Sequence, residues 1–177
     1  MTATSRRVTR RSATPLRLAL LLVASMGLSG QKQQSQNPLV GTWKLLSFES
    51  HGAAGDISHP FGADAYGLLM YDPRGQMSVV LTRPDRPMFM SGDPARGTPE
   101  EIKAAFEGFN AYCGSYKIDE KQGTVTHHVE ANSFPNWVGT DQQRFFTLRG
   151  RRLTLRTPPL LDGGQTLTFT AVWERVD

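Results

Sequence analysis

The sequence predicts an all-β fold: an antiparallel up-and-down barrel of about eight strands carrying one inserted α-helix. Three observations lead there. Short segments alternate apolar and polar side chains, the period of a strand with one buried face. Tight turns separate most of these segments at a spacing that favours closure into a barrel over two packed sheets. One stretch alone switches to helical spacing with a clear start signal. The 177 residues suit a single domain.

The first strand, 39–49, puts Leu39, Gly41, Trp43 and Leu45 on one face. A loose loop rich in Gly, His and Pro follows, then the strand YGLLMY, 66–71, read with Tyr66, Leu68 and Met70 inward. Asp72-Pro73-Arg74-Gly75 has the composition of a tight turn. Strand 76–82 returns with Met77, Val79 and Leu81 inward, so Leu68 and Met70 are expected near Met77 and Val79 across a hairpin. Arg83-Pro84-Asp85-Arg86-Pro87 opens an irregular loop. It reads as a rigid corner in which Asp85 pairs with an arginine, or as a rim that attracts anions.

Thr98 opens the helix as its N-cap, with Pro99 in the first position and Glu101 completing a capping box. Ile102, Ala105, Phe106 and Phe109 fall at helical spacing, a stripe expected to seal an end or side of the barrel. Strand 114–119 turns Tyr116 and Ile118 inward. Strand 124–131 turns Val125, His127, Val129 and Ala131 inward, and Thr124, Thr126, His128 and Glu130 outward. A loop with Phe134 and Trp137 follows, expected to tuck against the barrel mouth. Strand 142–148 faces Arg144, Phe146 and Leu148 inward. Strand 152–157 does the same with Leu153 and Leu155, and 158–165 reads as a loop. The last strand, 166–176, shares a face among Leu167, Phe169, Ala171, Trp173 and Arg175.

Residues 1–30 read as an export signal: an arginine-rich start, an apolar run from Leu16 to Met26, then small residues at Gly27, Ser29 and Gly30. The run is short for a membrane span, so no stable insertion is expected once the signal is removed. The destination is extracytoplasmic, periplasmic or secreted. Residues 31–38 form a polar linker, and the barrel domain occupies 39–177. The net charge of +4 belongs to the leader, because Arg6, Arg7, Arg10, Arg11 and Arg17 all precede Gly30 with no acid among them. Setting those five aside leaves 15 basic residues against 16 acidic, a body at −1, which removes the electrostatic case for nucleic acid. The single cysteine, Cys113, excludes an internal disulfide and is expected to be a small buried residue.

Gly41-Thr42-Trp43 on the first strand matches the Gly-x-Trp signature of the lipocalins, and Arg175 on the last strand matches the arginine that packs on their tryptophan. The segments LVGTWKLLSFE, PFGADAYGLLMYDPRGQMSVVL, RPDRP, TPEEIKAAFEGFNAYCGSY, GTVTHHVEANSFPNWVGTDQQRFF and LTLRTPP, with the later WER, resemble the lipocalin-like domain family of bacterial and fungal proteins. The resemblance covers nearly everything from Leu39 to the end. It implies an eight-stranded barrel whose central cavity takes small apolar or amphipathic molecules. Trp43 and Arg175 read as stability residues, the guanidinium lying over the ring.

The candidate ligand-binding residues are Tyr66, Tyr116, His127, Arg144 and Trp137. His127 lies among valines on the inward face. It is either a core histidine bonded to a tyrosine or backbone, or a polar group that orients a ligand or moves a proton. Arg144 needs an internal acid or an acidic ligand if it faces inward, and sits in solvent if the register slips by one. His128 and Glu130 share the other face and make at most half of a metal site, with His51 or His59 as remote partners. No Ser-His-Asp spacing, glycine-rich phosphate loop or paired-cysteine motif appears, so no cofactor is expected. Three readings follow: an exported barrel that binds a small molecule; a cofactor-free isomerase, cyclase or hydratase with His127 as general base beside Tyr116 and Arg144; and a scaffold with a filled core.

Overall fold

The computed structural model describes residues 37–176. The expected export signal and most of the linker lie outside the described residues. Ten strands form in order: β1 (Gly41–Gly52), β2 (Ile57–Ser58), β3 (Tyr66–Tyr71), β4 (Gln76–Thr82), β5 (Phe109–Asp119), β6 (Thr124–Asn132), β7 (Asp141–Arg149), β8 (Arg152–Arg156), β9 (Leu160–Asp162) and β10 (Gln165–Arg175). The helix α1 (Pro99–Glu107) lies between β4 and β5. Neighbours pair antiparallel in the order β1-β3-β4-β5-β6-β7-β8-β10, and β10 pairs back to β1, from Trp43 opposite Arg175 to Gly52 opposite Leu167. Eight strands therefore close the barrel; β2 and β9 extend two of its hairpins at one rim. β9 lies inside the stretch 158–165 read as a loop, where the Gly163-Gly164 turn, both residues at positive φ, lets three more residues pair.

The core is the inward face of every barrel strand. Leu39, Trp43, Leu45, Leu69, Met77, Val79, Leu81, Val125, Leu153, Leu155 and Trp173 are all buried in one cluster. One end is closed. Arg175 lies over the Trp43 ring, its guanidinium carbon 4.1 Å from the centroid, and donates to the carbonyls of Val40 and Pro38, 2.6 Å each. Trp43 Nε1 donates to the Leu39 carbonyl at 2.9 Å. Gly41 makes this possible: its φ is +141°, and a Cβ there would stand 2.5 Å from Arg175 Nη1. The sequence reading of this pair holds. So do the Asp72 turn, where Asp72 Oδ1 accepts from the Arg74 and Gln76 amides, and the Arg83–Asp85 ion pair at 2.9 Å.

Four expectations need correction. On β3 the inward residues are Gly67, Leu69 and Tyr71, so Leu69 faces Val79 and Tyr71 faces Met77; Tyr66 is 48% exposed and Met70 points outward with it. Apolar side chains occupy both parities of YGLLMY, and packing chose the one with Gly67, where a Cβ would press on Leu81 and Leu45. Ala131 is exposed, because the β5–β6 register shifts between Cys113 and Gly114 and the extra residue on β6 inverts the alternation beyond Val129. Cys113 is exposed because it alternates on β5 with the inward Tyr112, Gly114 and Tyr116. The helix has its capping box, but Ile102 and Phe106 are 52% and 51% exposed and none of its residues is buried. It ends at Gly108, and Phe109 belongs to β5, so the stripe seals nothing.

Candidate functional site

β6 carries His127 between Val125 and Val129 on the inward face, and only 1% of its surface is exposed. Both ring nitrogens are held. Tyr71 Oη lies 2.6 Å from Nε2, and Tyr112 Oη lies 3.0 Å from Nδ1. Tyr71 comes from the end of β3, three strands round the barrel, so this contact spans the interior. A neutral imidazole has one N–H and one lone pair, so one tyrosine donates and the other accepts. Burial pushes the His127 pKa down to about 3, with the Arg144 charge acting the same way, and the ring is neutral at ordinary pH. Burial, and next the neighbouring Tyr112, holds Tyr71 well above the ordinary phenol value against the pull of Arg144. Burial raises Tyr112 as well, again opposed by Arg144.

Arg144 does face inward. It pairs with Val125 across β6 and β7, on the partly buried parity of β7 with Gln142, Phe146 and Leu148. Nη1 donates to the Gln143 carbonyl at 2.8 Å and Nη2 to Gln142 Oε1 at 3.4 Å. Among the described residues no carboxylate pairs with it. An inward cation without a counter-charge is costly unless water or a ligand meets it.

The five residues singled out from sequence do not form one site. His127 and Arg144 come together. Tyr116 is buried on the inward face, but its hydroxyl donates to the Asp72 carbonyl and accepts from Asn37 Nδ2, both at 2.9 Å, which ties it to the closed end. Tyr66 is on the outer wall. Trp137 sits in a short 3-10 turn after β6, partly buried and edge-to-face with Phe134 at 5.6 Å, on a loop pinned to β6 through Val129. The residues that sequence reasoning missed are Tyr71, Tyr112 and Asn132. Tyr112 has the parity of Tyr116 and emerges once β5 is extended back to Phe109. Asn132 faces inward opposite Tyr112 only because of the bulge, which no alternation pattern shows. Its carbonyl oxygen accepts from the Phe134 amide at 2.7 Å, and its Nδ2 is buried with no partner among the described residues.

This geometry is unsuited to His127 as a general base. Both nitrogens are occupied by tyrosines, and a pKa of about 3 gives little affinity for a proton. Its chemistry is positional: it fixes two hydroxyls inside an apolar wall. The ring is wholly buried between its two tyrosines, and the Tyr116 hydroxyl is turned away from it to the Asp72 carbonyl. Solvent reaches the inward face on the mouth side, where Phe48, Tyr112, Asn132, Gln142, Arg144 and Phe169 are only partly buried. A concavity of about 310 Å³ between β2 and β9 reaches Ser50 and Phe169 at that rim. Another, of about 630 Å³, lies on the outer wall of β7, β8 and β10 beside Arg149, Arg152 and Glu174. On the outside, His128 Nδ1 meets Asp141 Oδ1 at 2.9 Å rather than Glu130, and no group of three or more His, Cys, Asp or Glu side chains gathers among the described residues. No helix among the described residues is long and apolar enough to cross a membrane.

Comparison with known proteins adds three findings. The chain is 32% identical over 108 residues to the 4'-hydroxy-3'-methoxypropiophenone carrier protein ppsC of Aspergillus oryzae, a match spanning 56% of this chain and 96% of that one. Its fold is similar to the crystal structure of a lipocalin-like protein from Bacteroides uniformis, at 13% identity and a TM-score of 0.41, over 78% of this chain and 98% of that one. A family model described as the lipocalin-like domain matches residues 40–176. The chain belongs to the lipocalin-like domain family.

Proposed function

We propose that this protein is an exported carrier that holds a small amphipathic molecule, an aromatic ketone or a compound of similar size, in the mouth half of its barrel. The observation that carries the reading is the contrast along the lumen. Toward the closed end the inward residues are hydrocarbon and rings, most of them buried; toward the mouth, buried Leu81, Val129 and Ala171 stand beside partly exposed aromatic and polar groups, Phe48, Tyr112, Gln142, Arg144 and Phe169. Such a wall offers an apolar slot with a few placed polar atoms, the usual composition of a small-molecule site. A relative named as a carrier of a hydroxylated, methoxylated propiophenone supports the class of cargo. Phe134 and Trp137, on the loop at the same end, would cover part of an apolar ligand.

The test is native mass spectrometry of the full chain with 4'-hydroxy-3'-methoxypropiophenone and a panel of aryl ketones and fatty acids. A one-to-one complex is expected, weakened by Tyr112→Ala. Absence of any complex across the panel rejects the carrier reading. Export is tested separately: fractionated host cells are expected to hold a chain lacking residues 1–30 outside the cytoplasm, and a full-length cytoplasmic chain rejects it.

A further inference from the structure

The hydrogen-bonding capacity that the barrel interior leaves unspent is donor capacity. Asn132 Nδ2 and Trp173 Nε1 are the buried side-chain polar atoms without a partner among the described residues, and both are N–H groups. Asn132 cannot exchange its amide ends freely, because its oxygen serves the Phe134 amide. Arg144 adds five N–H donors and a permanent charge, of which the carbonyl of Gln143, the distant Gln142 Oε1 and the Tyr112 hydroxyl take a part. The titratable groups around it are Tyr71 from β3, Tyr112 and Tyr116 from β5 and His127 from β6, all neutral at ordinary pH. β4 and β8 present Met77, Val79, Leu81, Leu153 and Leu155, and the inward charge of β10, Arg175, is saturated at the closed end. The wall therefore lacks a negative charge and has donors to spare.

Resting on the carrier reading above, we propose that the lumen seats its ligand by an ionised oxygen acid, a phenolate or a carboxylate, held by Arg144 and Tyr112, with Asn132 Nδ2 as a further donor toward the mouth. A guanidinium matches such an oxygen in geometry and charge better than any neutral donor. The Tyr71–His127–Tyr112 chain is built to assist. With an anion seated, the Tyr71 hydroxyl donates to Nε2, Nδ1–H donates to Tyr112 Oη, and the Tyr112 proton is released toward the ligand. His127 is then a positioning residue that acts through Tyr112. The opposite tautomer consumes the Tyr112 proton on Nδ1 and serves an empty lumen.

Three probes of similar size separate the possibilities: propiophenone, neutral; 4'-hydroxypropiophenone, a phenol; and 3-phenylpropionate, a carboxylate. Calorimetry with the full chain is expected to show at least one acid bound about tenfold or more tighter than propiophenone, one charge-assisted hydrogen bond's worth. If the phenol is that acid, it is expected to absorb as phenolate when bound, with its pKa lowered by about one unit or more. Whichever acid gains identifies the group that fits. Arg144→Met, checked for folding by circular dichroism, is expected to abolish the phenolate spectrum and bring the ratio of acid to propiophenone affinity, read within the variant, down to about one; Arg144→Lys keeps part of both. Propiophenone held as tightly as both acids, or a preference that survives Arg144→Met, overturns the anion seat and leaves the carrier reading standing. If none of the three binds the wild-type chain, the anion seat falls, and the carrier reading falls with it when the wider panel is not bound either.

Discussion

Two arginines point into this barrel, and their surroundings differ in kind. Arg175 at the closed end is saturated: a tryptophan face beneath it, two backbone carbonyls at 2.6 Å, and a glycine cleared out of its way. Arg144, in the middle, has its neighbour's carbonyl at 2.8 Å and a side-chain amide oxygen at 3.4 Å. The same side chain is a strut in one place and an unfinished contact in the other. Completed hydrogen bonds hold a barrel shut, whereas incomplete ones mark where something else is meant to bind. Tyr116 and Tyr112 differ on one strand in what they serve: the first ties its hydroxyl to Asp72 and Asn37 at the closed end, the second turns its own to His127 and Arg144 at the edge of the open half.

The largest way to break this comparison is at the strut. Trp43→Ala deletes a wholly buried indole and the platform for Arg175, and is expected to destabilise the fold by about 3–5 kcal/mol. Urea unfolding measures it, and a loss below about 1 kcal/mol would show the closed end is not where stability resides. Gly41→Ala tests the same strut more gently. The new methyl forces the guanidinium off the ring and strains a backbone at φ +141°, for an expected cost of about 2 kcal/mol. The matching change at the other arginine, Arg144→Met, is expected to leave stability unchanged or raise it, since it removes an unpaired charge from the lumen.

What could be read in advance divides along the same line. Gly41, Trp43, Arg175 and the Thr98 cap were legible because each is a local signature or a residue type with one common use. Barrel closure was legible because strand alternation survives in β4, β8 and β10. The polar centre was half legible. His127 and Arg144 followed from alternation within β6 and β7, but Tyr71 was hidden in YGLLMY, where Tyr66, Leu68 and Met70 look as apolar as Gly67, Leu69 and Tyr71. Which parity wins depends on Leu45 and Leu81 crowding Gly67 from the two flanking strands, contacts between residues far apart in the sequence. Asn132 was hidden by the β6 bulge, which one-residue periodicity cannot reveal and which turns Ala131 outward.

The buried imidazole predicts a pH dependence of intermediate size. Its folded pKa of about 3 lies below the ordinary 6.5, so as pH falls through 6.5 the unfolded chain takes up a proton that the folded chain refuses. Stability from this group is thus flat above about pH 7 and declines as pH is lowered toward 3, by roughly 2 kcal/mol at pH 5. Chemical denaturation of the wild type and His127→Gln from pH 4 to pH 8 isolates it, because exposed histidines and carboxylates contribute to both proteins. The gap between them is expected to narrow or invert as pH falls. A gap that stays constant would mean that the ring protonates in place, with water rather than tyrosines around it.

The smallest effects belong to the helix, and there the order of importance is the reverse of what an apolar stripe implies. Ile102 and Phe106 are half exposed, so Ile102→Ser and Phe106→Ser remove little burial and are expected to change stability by less than about 0.5 kcal/mol. The capping box does more. Thr98 Oγ1 accepts from the Glu101 amide at 3.2 Å, and Glu101 accepts from the Thr98 and Met90 amides at 2.8 Å each, so one carboxylate joins the helix start to the preceding loop. Those bonds hold the Glu101 carboxyl below its usual pKa range, the Met90 amide contributing most. Thr98→Ala is expected to cost about 1 kcal/mol, felt locally as faster amide exchange in the first helical turn. If the two serine variants instead destabilise more than the cap variant, the stripe packs against something that the half-open face does not reveal, and the helix, rather than the Arg144 wall, becomes the second place where this molecule leaves a contact unfinished.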